Sequence, residues 1–479
     1  MDILTINNLI VAFETPQGEL TAVKGVSLSL AQGETLALVG ESGCGKTVLC
    51  KSMLKILCER GRIKEGEILL SGQDLVPLGE KEMVPCRGRE VAMVFQDPMS
   101  SLDPTMPVGR QIAEAAAGRA DDPKARALEL MRLVEIDHPE ERYEQMPHHF
   151  SGGMRQRIAI AIALAGNPQI LLADEPTTSL DEDTQEQILK LLAKIDIATI
   201  FITHDLSLVE DIADRVGIMK DGSIVETGPV GQVFDMPRHP YTKKLLGYLD
   251  YGKGRGHDHK HNRQRFDTPL VEVRNLKKSF SLGKHSIHNA LDNFSLDIYK
   301  GEILGLIGPS GCGKSTLARC LMELYPPTSG EIRFFNEKKR KNWKQMIFQD
   351  SDSAFNSRMT IRQIIGEPLR IAEKREPGRE RIAELMEQVD LDPALMDRRP
   401  YDVSGGQRQR AAIARAISVD PEFIVADEPI SSLDISTQAQ IVHLFRRLQE
   451  ERNLTILLIA HDLPMVNHVS DRIVEMGEK

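Results

Sequence analysis

Short apolar runs recur along the chain, and each ends in residues with chemistry. ETLALVG (34–40) and EILGLIG (302–308) end in a glycine loop. ILLADE (170–175) and FIVADE (423–428) end in acids, and TIFITH (199–204) and TILLIAH (455–461) end in histidine. Runs this short with no polar face are those of strands buried on both sides, as in parallel sheets. Helical stretches such as KTVLCKSMLKIL (46–57) and KSTLARCLMEL (314–324) alternate with them. The alternation predicts an α/β fold with ligands at the carboxyl ends of the strands. The residues from Gln96 to Ser151, and from Gln349 to Ser404, read as a mostly helical inserted lobe. Helices are predicted next over Arg155–Ala165 and Arg408–Ile417.

The pattern occurs twice in the same order. GESGCGKT (40–47) returns as GPSGCGKS (308–315), FSGGMRQR (150–157) as VSGGQRQR (403–410), and FITHDL (201–206) as LIAHDL (458–463). Gln96 to Gln349, Ser151 to Ser404 and Glu175 to Glu428 share an offset of 253 residues. Lys46 to Lys314 is offset by 268 and His204 to His461 by 257. One large unit has been duplicated. We expect domains at 1–250 and 269–479, joined by a linker over 251–268 that includes YGKGRGHDHKHNRQR (251–265). That stretch has no apolar period and reads as an exposed tether. His257, His259 and His261 within it are candidate metal ligands, although a solvated polar tether explains them on composition alone. The second copy has no counterpart of GSIVETGPVGQVFDMPRHPYTKKLL (222–246), so a last strand and helix are expected only in the first.

At 479 residues, 41% apolar and 27% charged, the chain has material for several cores and is neither disordered nor a mini-protein. Its longest apolar run, Ile158–Gly166, is far below the roughly 20 residues of a membrane-spanning helix. The start MDILTINNLI is not a secretory signal. A cytosolic chain is expected, with any membrane role coming through partners. The net charge of −10 argues against wrapping nucleic acid. Cys44, Cys50, Cys58, Cys86, Cys312 and Cys320 form no CxxC pair, so reduced thiols are expected.

The loops GxxxxGK[ST] carry the chemistry. In Gly40, Glu41, Ser42, Gly43, Cys44, Gly45, Lys46 and Thr47, and again in Gly308, Pro309, Ser310, Gly311, Cys312, Gly313, Lys314 and Ser315, the glycines let backbone N–H groups curl around phosphates. Lys46 and Lys314 would neutralise phosphate charge, and the Thr47 and Ser315 hydroxyls would ligate Mg²⁺. Asp174 and Asp427 would hold the metal through water, and Glu175 and Glu428 would orient or deprotonate the attacking water. Gln96 and Gln349 suit a metal or water contact that also reports on the lobe. His204 and His461 suit a γ-phosphate contact. Ser151, Gly152 and Gly153, and Ser404, Gly405 and Gly406, make a second anion-ready helix start in each copy.

With these motifs on the page, the chain resembles the ATP-binding cassette ATPases over nearly its whole length outside the linker. The order of phosphate loop, glutamine, SGG signature, ADEP segment, SLD loop and histidine is that of the family. The resemblance implies two tandem P-loop NTPase domains, each a mainly parallel sheet with helices, an antiparallel β subdomain and the helical lobe. It implies ATP and Mg²⁺ as ligands and two composite sites. One would join Gly40–Thr47 to Ser404–Gly406, and the other Gly308–Ser315 to Ser151–Gly153. Phe13 and Phe280 match the aromatic that stacks on adenine, and Asp181 and Asp434 match the loop that crosses the domain pair.

Finer spellings are similar to the peptide and nickel importer branch: QDPMSSLDP, PTTSLD and HPYTKKLL (239–246) to its first ATPase subunit, and GEPL (366–369) and PPTSG (326–330) to its second. The two appear fused here. The branch implies two transmembrane permeases, an extracytoplasmic solute-binding protein and a place on the cytoplasmic face of the membrane. SDSAFNSRM (351–359) departs from the branch where the second copy would meet a permease, and no cysteine cluster follows HPYTKKLL, so no iron–sulfur site is expected. Di- or oligopeptide import leads, with nickel or metal-chelate import beside it. A soluble tandem ATPase acting on ribosomes is a third possibility, set apart by a longer linker than this one.

Overall fold

The computed structural model describes residues 2–15, 18–97, 101–177, 180, 182–252, 268–281, 287–309, 311–336, 342–349, 354–430, 433–460 and 463–477. The chain divides into two compact units, Met1–Leu246 and Gly247–Lys479.

The first unit contains β1 (Asp2–Thr15), β2 (Gly18–Ala31), β3 (Thr35–Val39), β4 (Gly61–Leu70), β5 (Gln73–Asp74), β6 (Val91–Val94), β7 (Ile170–Asp174), β8 (Ala198–Thr203), β9 (Arg215–Lys220) and β10 (Ser223–Pro229). A six-stranded sheet runs β10-β9-β3-β8-β7-β6. Its strands are parallel except β10, which pairs antiparallel with β9. The strands β2-β1-β4-β5 form a separate antiparallel sheet.

The second unit repeats this with β11 (Pro269–Ser281), β12 (Ile287–Tyr299), β13 (Ile303–Ile307), β14 (Ser329–Phe334), β15 (Lys344–Ile347), β16 (Phe423–Asp427), β17 (Thr455–Ile459) and β18 (Arg472–Glu475). Its main sheet is β15-β16-β17-β13-β18, parallel throughout, and β12-β11-β14 is antiparallel.

Continuous apolar runs arise because each central strand serves two cores. Every residue of β7, β8, β13, β16 and β17 is buried. Along β8, Phe201 packs with the helical lobe while Ile200 and Ile202 pack with the antiparallel sheet and the loop helix. Along β16, Ile424 and Ala426 face the lobe while Phe423 and Val425 face the other side. The period of two is intact, but both phases are apolar.

The lobe of the first unit holds helices Val108–Ala116, Pro123–Leu133 and Pro139–Arg142, and that of the second holds Ile361–Glu373 and Arg379–Gln388. Local chemistry sets their starts. The Asp122 carboxylate accepts from the N–H groups of Lys124 and Ala125, with Pro123 in the first turn. Thr360 and Gln363 form a reciprocal capping box. The signature helices begin earlier than the pattern predicted, at Gly152 and Gly405 rather than Arg155 and Arg408, and run to Leu164 and Ile417. The glycines are the first helical turn, because the Ser151 and Ser404 hydroxyls cap the N–H groups of Met154 and Gln407, each at 3.3 Å.

Phe201 is 1% exposed and joins β8 to the lobe. We expect Phe201→Ala to lower stability by about 3–5 kcal/mol in urea denaturation, because the lobe cannot collapse onto the vacated sheet.

Candidate functional site

Each phosphate loop leaves a buried strand, β3 or β13, and enters a helix, Lys46–Met53 or Lys314–Leu321. Backbone crowding dictates the glycines. Gly45 and Gly313 are left-handed at φ 105° and 113°. A Cβ at Gly40 would lie 2.1 Å from the Met219 carbonyl oxygen, and one at Gly308 would lie 2.5 Å from that of Met476. Glycine at each helix start brings no side chain to cap it, and a helix N-terminus suits an anion. Lys46 and Lys314 are both 5% exposed. Lys46 Nζ donates to the carbonyls of Gly40 (2.6 Å) and Glu41 (2.9 Å). Lys314 Nζ donates likewise to Gly308 (2.5 Å) and Pro309 (3.0 Å). A buried ammonium needs such partners, and phosphate oxygens can replace them.

The acids diverge by one residue. Thr47 Oγ1 donates to Asp174 Oδ1 at 3.0 Å, and Ser315 Oγ donates to Asp427 Oδ1 at 3.1 Å. Burial pushes both aspartates up, against the pull of their hydroxyl partners, and the adjacent glutamates add to the rise. Glu175 and Glu428 then turn left-handed at φ 47° and 48°. Their N–H groups remain in the sheet, donating to Ile202 and Ile459 at 3.0 and 2.9 Å. Glu175 Oε2 accepts from Gln96 Nε2 at 2.9 Å and lies 3.2 Å from His204 Nδ1. In the second unit Gln349 Nε2 donates to Glu428 Oε2. His461 lies outside the described residues. Burial pulls the His204 imidazole down, but the hydrogen bond and charge of Glu175, with Asp205 behind, outweigh it and hold His204 above its ordinary range.

These groups fit Mg²⁺. The hydroxyl, the aspartate and the glutamine amide oxygen are hard donors. Among the described residues no three His, Cys, Asp or Glu side chains converge on one point.

Phe13 is half-buried on β1 opposite Gly61, where a Cβ would meet its ring at 2.6 Å. Phe280 on β11 meets Tyr325 edge-on, with centroids 5.5 Å apart. Asp434 caps its own helix Ile435–Arg452, accepting from the Thr437 N–H at 2.9 Å. Asp181, Ser310 and the linker histidines lie outside the described residues, and the helix Pro240–Gly252 extends into the first two linker positions.

A strand–loop–helix phosphate cradle beside an aspartate and a glutamate ending a buried parallel strand defines a P-loop nucleoside triphosphatase. Residues 23–178 and 291–431 match the ABC transporter family, and the chain belongs to that family of ATP-binding ATPases. It is 38% identical to the glutathione import ATP-binding protein GsiA of Salmonella paratyphi A, over 100% of this chain and 86% of that protein. It is 39% identical to the peptidoglycan transport ATP-binding protein YejF of Agrobacterium fabrum, over 99% and 91%. The solved structure of RNase-L inhibitor aligns at a TM-score of 0.64, covering 98% of this chain and 87% of that one, and at 20% identity it bears on the fold alone. Among the described residues no helix is long and apolar enough to cross a membrane.

Glu175→Gln removes the charge that raises His204, so the imidazole pKa falls in a histidine-resolved NMR titration. The sign for stability follows. The His204–Glu175 contribution is fully present below the unfolded value of about 6.5 and fades as pH rises through the raised folded value.

Proposed function

We propose that the chain is the Mg²⁺-dependent ATP-hydrolysing subunit of an importer for di- or oligopeptides or related solutes. The names of the two relatives support a peptide-like cargo. The observation that carries the hydrolysis reading is the single carboxylate oxygen of Glu175 shared by Gln96 and His204, with Gln349 and Glu428 paired alike in the second unit. Gln96, Glu175 and His204 come from the ends of three different strands, and each limits where the carboxylate can go.

ATP would enter with its phosphates over the loop N–H groups and its adenine near Phe13 or Phe280. Lys46 and Lys314 would exchange their loop carbonyls for phosphate oxygens. Mg²⁺, when bound, would neutralise charge between the β- and γ-phosphates, held by Thr47 or Ser315, by Gln96 or Gln349, and through water by Asp174 or Asp427. Glu175 and Glu428 would accept the proton of the attacking water, while His204 and His461 would fix the γ-phosphate side. Ser151–Gly153 and Ser404–Gly406 would each close the other unit's site in a head-to-tail pair. Binding of ATP only to the closed state would then shift the population towards closure, and hydrolysis would reverse it. Two permeases docking near Gln96 and Gln349, served by an extracytoplasmic binding protein, would place the chain on the cytoplasmic face of the membrane.

The Glu175→Gln, Glu428→Gln double variant should bind ATP like the parent and lose turnover by at least about 100-fold. Nucleotide binding and phosphate release on the same preparation check this, and parental turnover would refute the glutamates as bases.

A further inference from the structure

The two phosphate loops differ at their second residue, Glu41 in one and Pro309 in the other. The backbone of Glu41 is held on both sides. Its carbonyl accepts Lys46 Nζ at 2.9 Å, and its N–H donates to the Tyr241 hydroxyl at 3.3 Å. Tyr241 belongs to the helix Pro240–Gly252, which follows β10 and lies outside the segments matched to the family.

That tyrosine is itself fixed. Glu226 on β10 accepts the N–H groups of Arg238 (2.8 Å) and His239 (3.0 Å), and His239 Nδ1 accepts the N–H of Tyr241 (3.2 Å). The Lys220 ammonium, at the end of β9, lies 5.1 Å from the centre of the tyrosine ring. Tyr241 is 8% exposed and Thr242 is fully buried, so the helix start is seated in the unit. In the second unit Lys314 bonds the Gly308 and Pro309 carbonyls just as Lys46 bonds those of Gly40 and Glu41. Proline has no N–H to donate, and its ring fixes φ. One loop corner is therefore held by its own ring, and the other by a tyrosine some 200 residues away.

We propose that Tyr241 is a positioning residue for the first phosphate loop. Through the peptide of Glu41 it fixes the carbonyl that places Lys46, and so tunes nucleotide affinity at that loop alone, making the segment from β10 to Gly252 a control point for the first loop. The proposal rests on the reading that the loop holds ATP phosphates.

The test uses the full chain carrying Lys314→Ala, so that ATP binding reports the first loop. Adding Tyr241→Phe should weaken ATP about three- to tenfold, the effect of one neutral hydrogen bond. Adding Glu41→Pro to that variant should recover most of the loss, because it installs the second loop's solution. A merely structural tyrosine would not be rescued at position 41, so failure of rescue overturns the proposal. Unchanged affinity in Tyr241→Phe overturns it too. Tyr241→Phe in a Lys46→Ala chain reads the second loop, and an equal loss there means general destabilisation and also overturns it. The Lys46→Ala, Lys314→Ala chain separates the two ideas: if it still binds ATP, the phosphate-loop reading fails, whereas loss of binding leaves the Tyr241 result to be judged by itself.

Discussion

At the ends of β7 and β16 the backbone turns left-handed at a glutamate, and both sites depend on that turn. A non-glycine residue there costs about 1–2 kcal/mol. The surroundings offset it, since the glutamate N–H stays bonded to the neighbouring strand at Ile202 or Ile459. The turn separates two adjacent acids. The aspartate reaches the loop hydroxyl, while the glutamate reaches the glutamine at the entrance of the lobe. Were the strand to continue instead, the glutamate would point to the opposite face from the aspartate and lose its partners.

The same arrangement ties the site to distant parts of each unit. Gln96 lies between β6 and the helical lobe, so a shift of the lobe bears directly on the Glu175 carboxylate. The lobe in turn is packed on the strand faces that carry Phe201 and Ala173. At the edge of the sheet away from β6, the hairpin of β9 and β10 presses on the loop, with Met219 against Gly40 and the Gly222 N–H bonded to the Cys44 carbonyl at 3.1 Å. Site and scaffold therefore share the same few contacts.

Much of this was legible in the sequence, because duplication shows each motif twice and apolar runs mark the strands that carry them. The parallel sheets and the lobes follow directly from pattern. The helix starts at Gly152 and Gly405 did not, because glycine has poor helical propensity and only a capping serine reveals that a helix begins there. The shared Glu175 oxygen was out of reach as well, since Gln96 and His204 lie 79 and 29 residues away along the chain. The Tyr241 contact was hidden for the same reason. Its one sequence signal is the change from Glu41 to Pro309, which acquires meaning only once a partner for the Glu41 N–H is seen.

The central claim is that these two ATPase units energise transport across a membrane. Affinity purification of the tagged chain from gently solubilised native cells, with mass-spectrometric identification of what accompanies it, tests that claim most directly. The account predicts two multi-span permeases in amounts comparable to the chain. Ribosomal proteins, or an absence of any membrane protein, would contradict it.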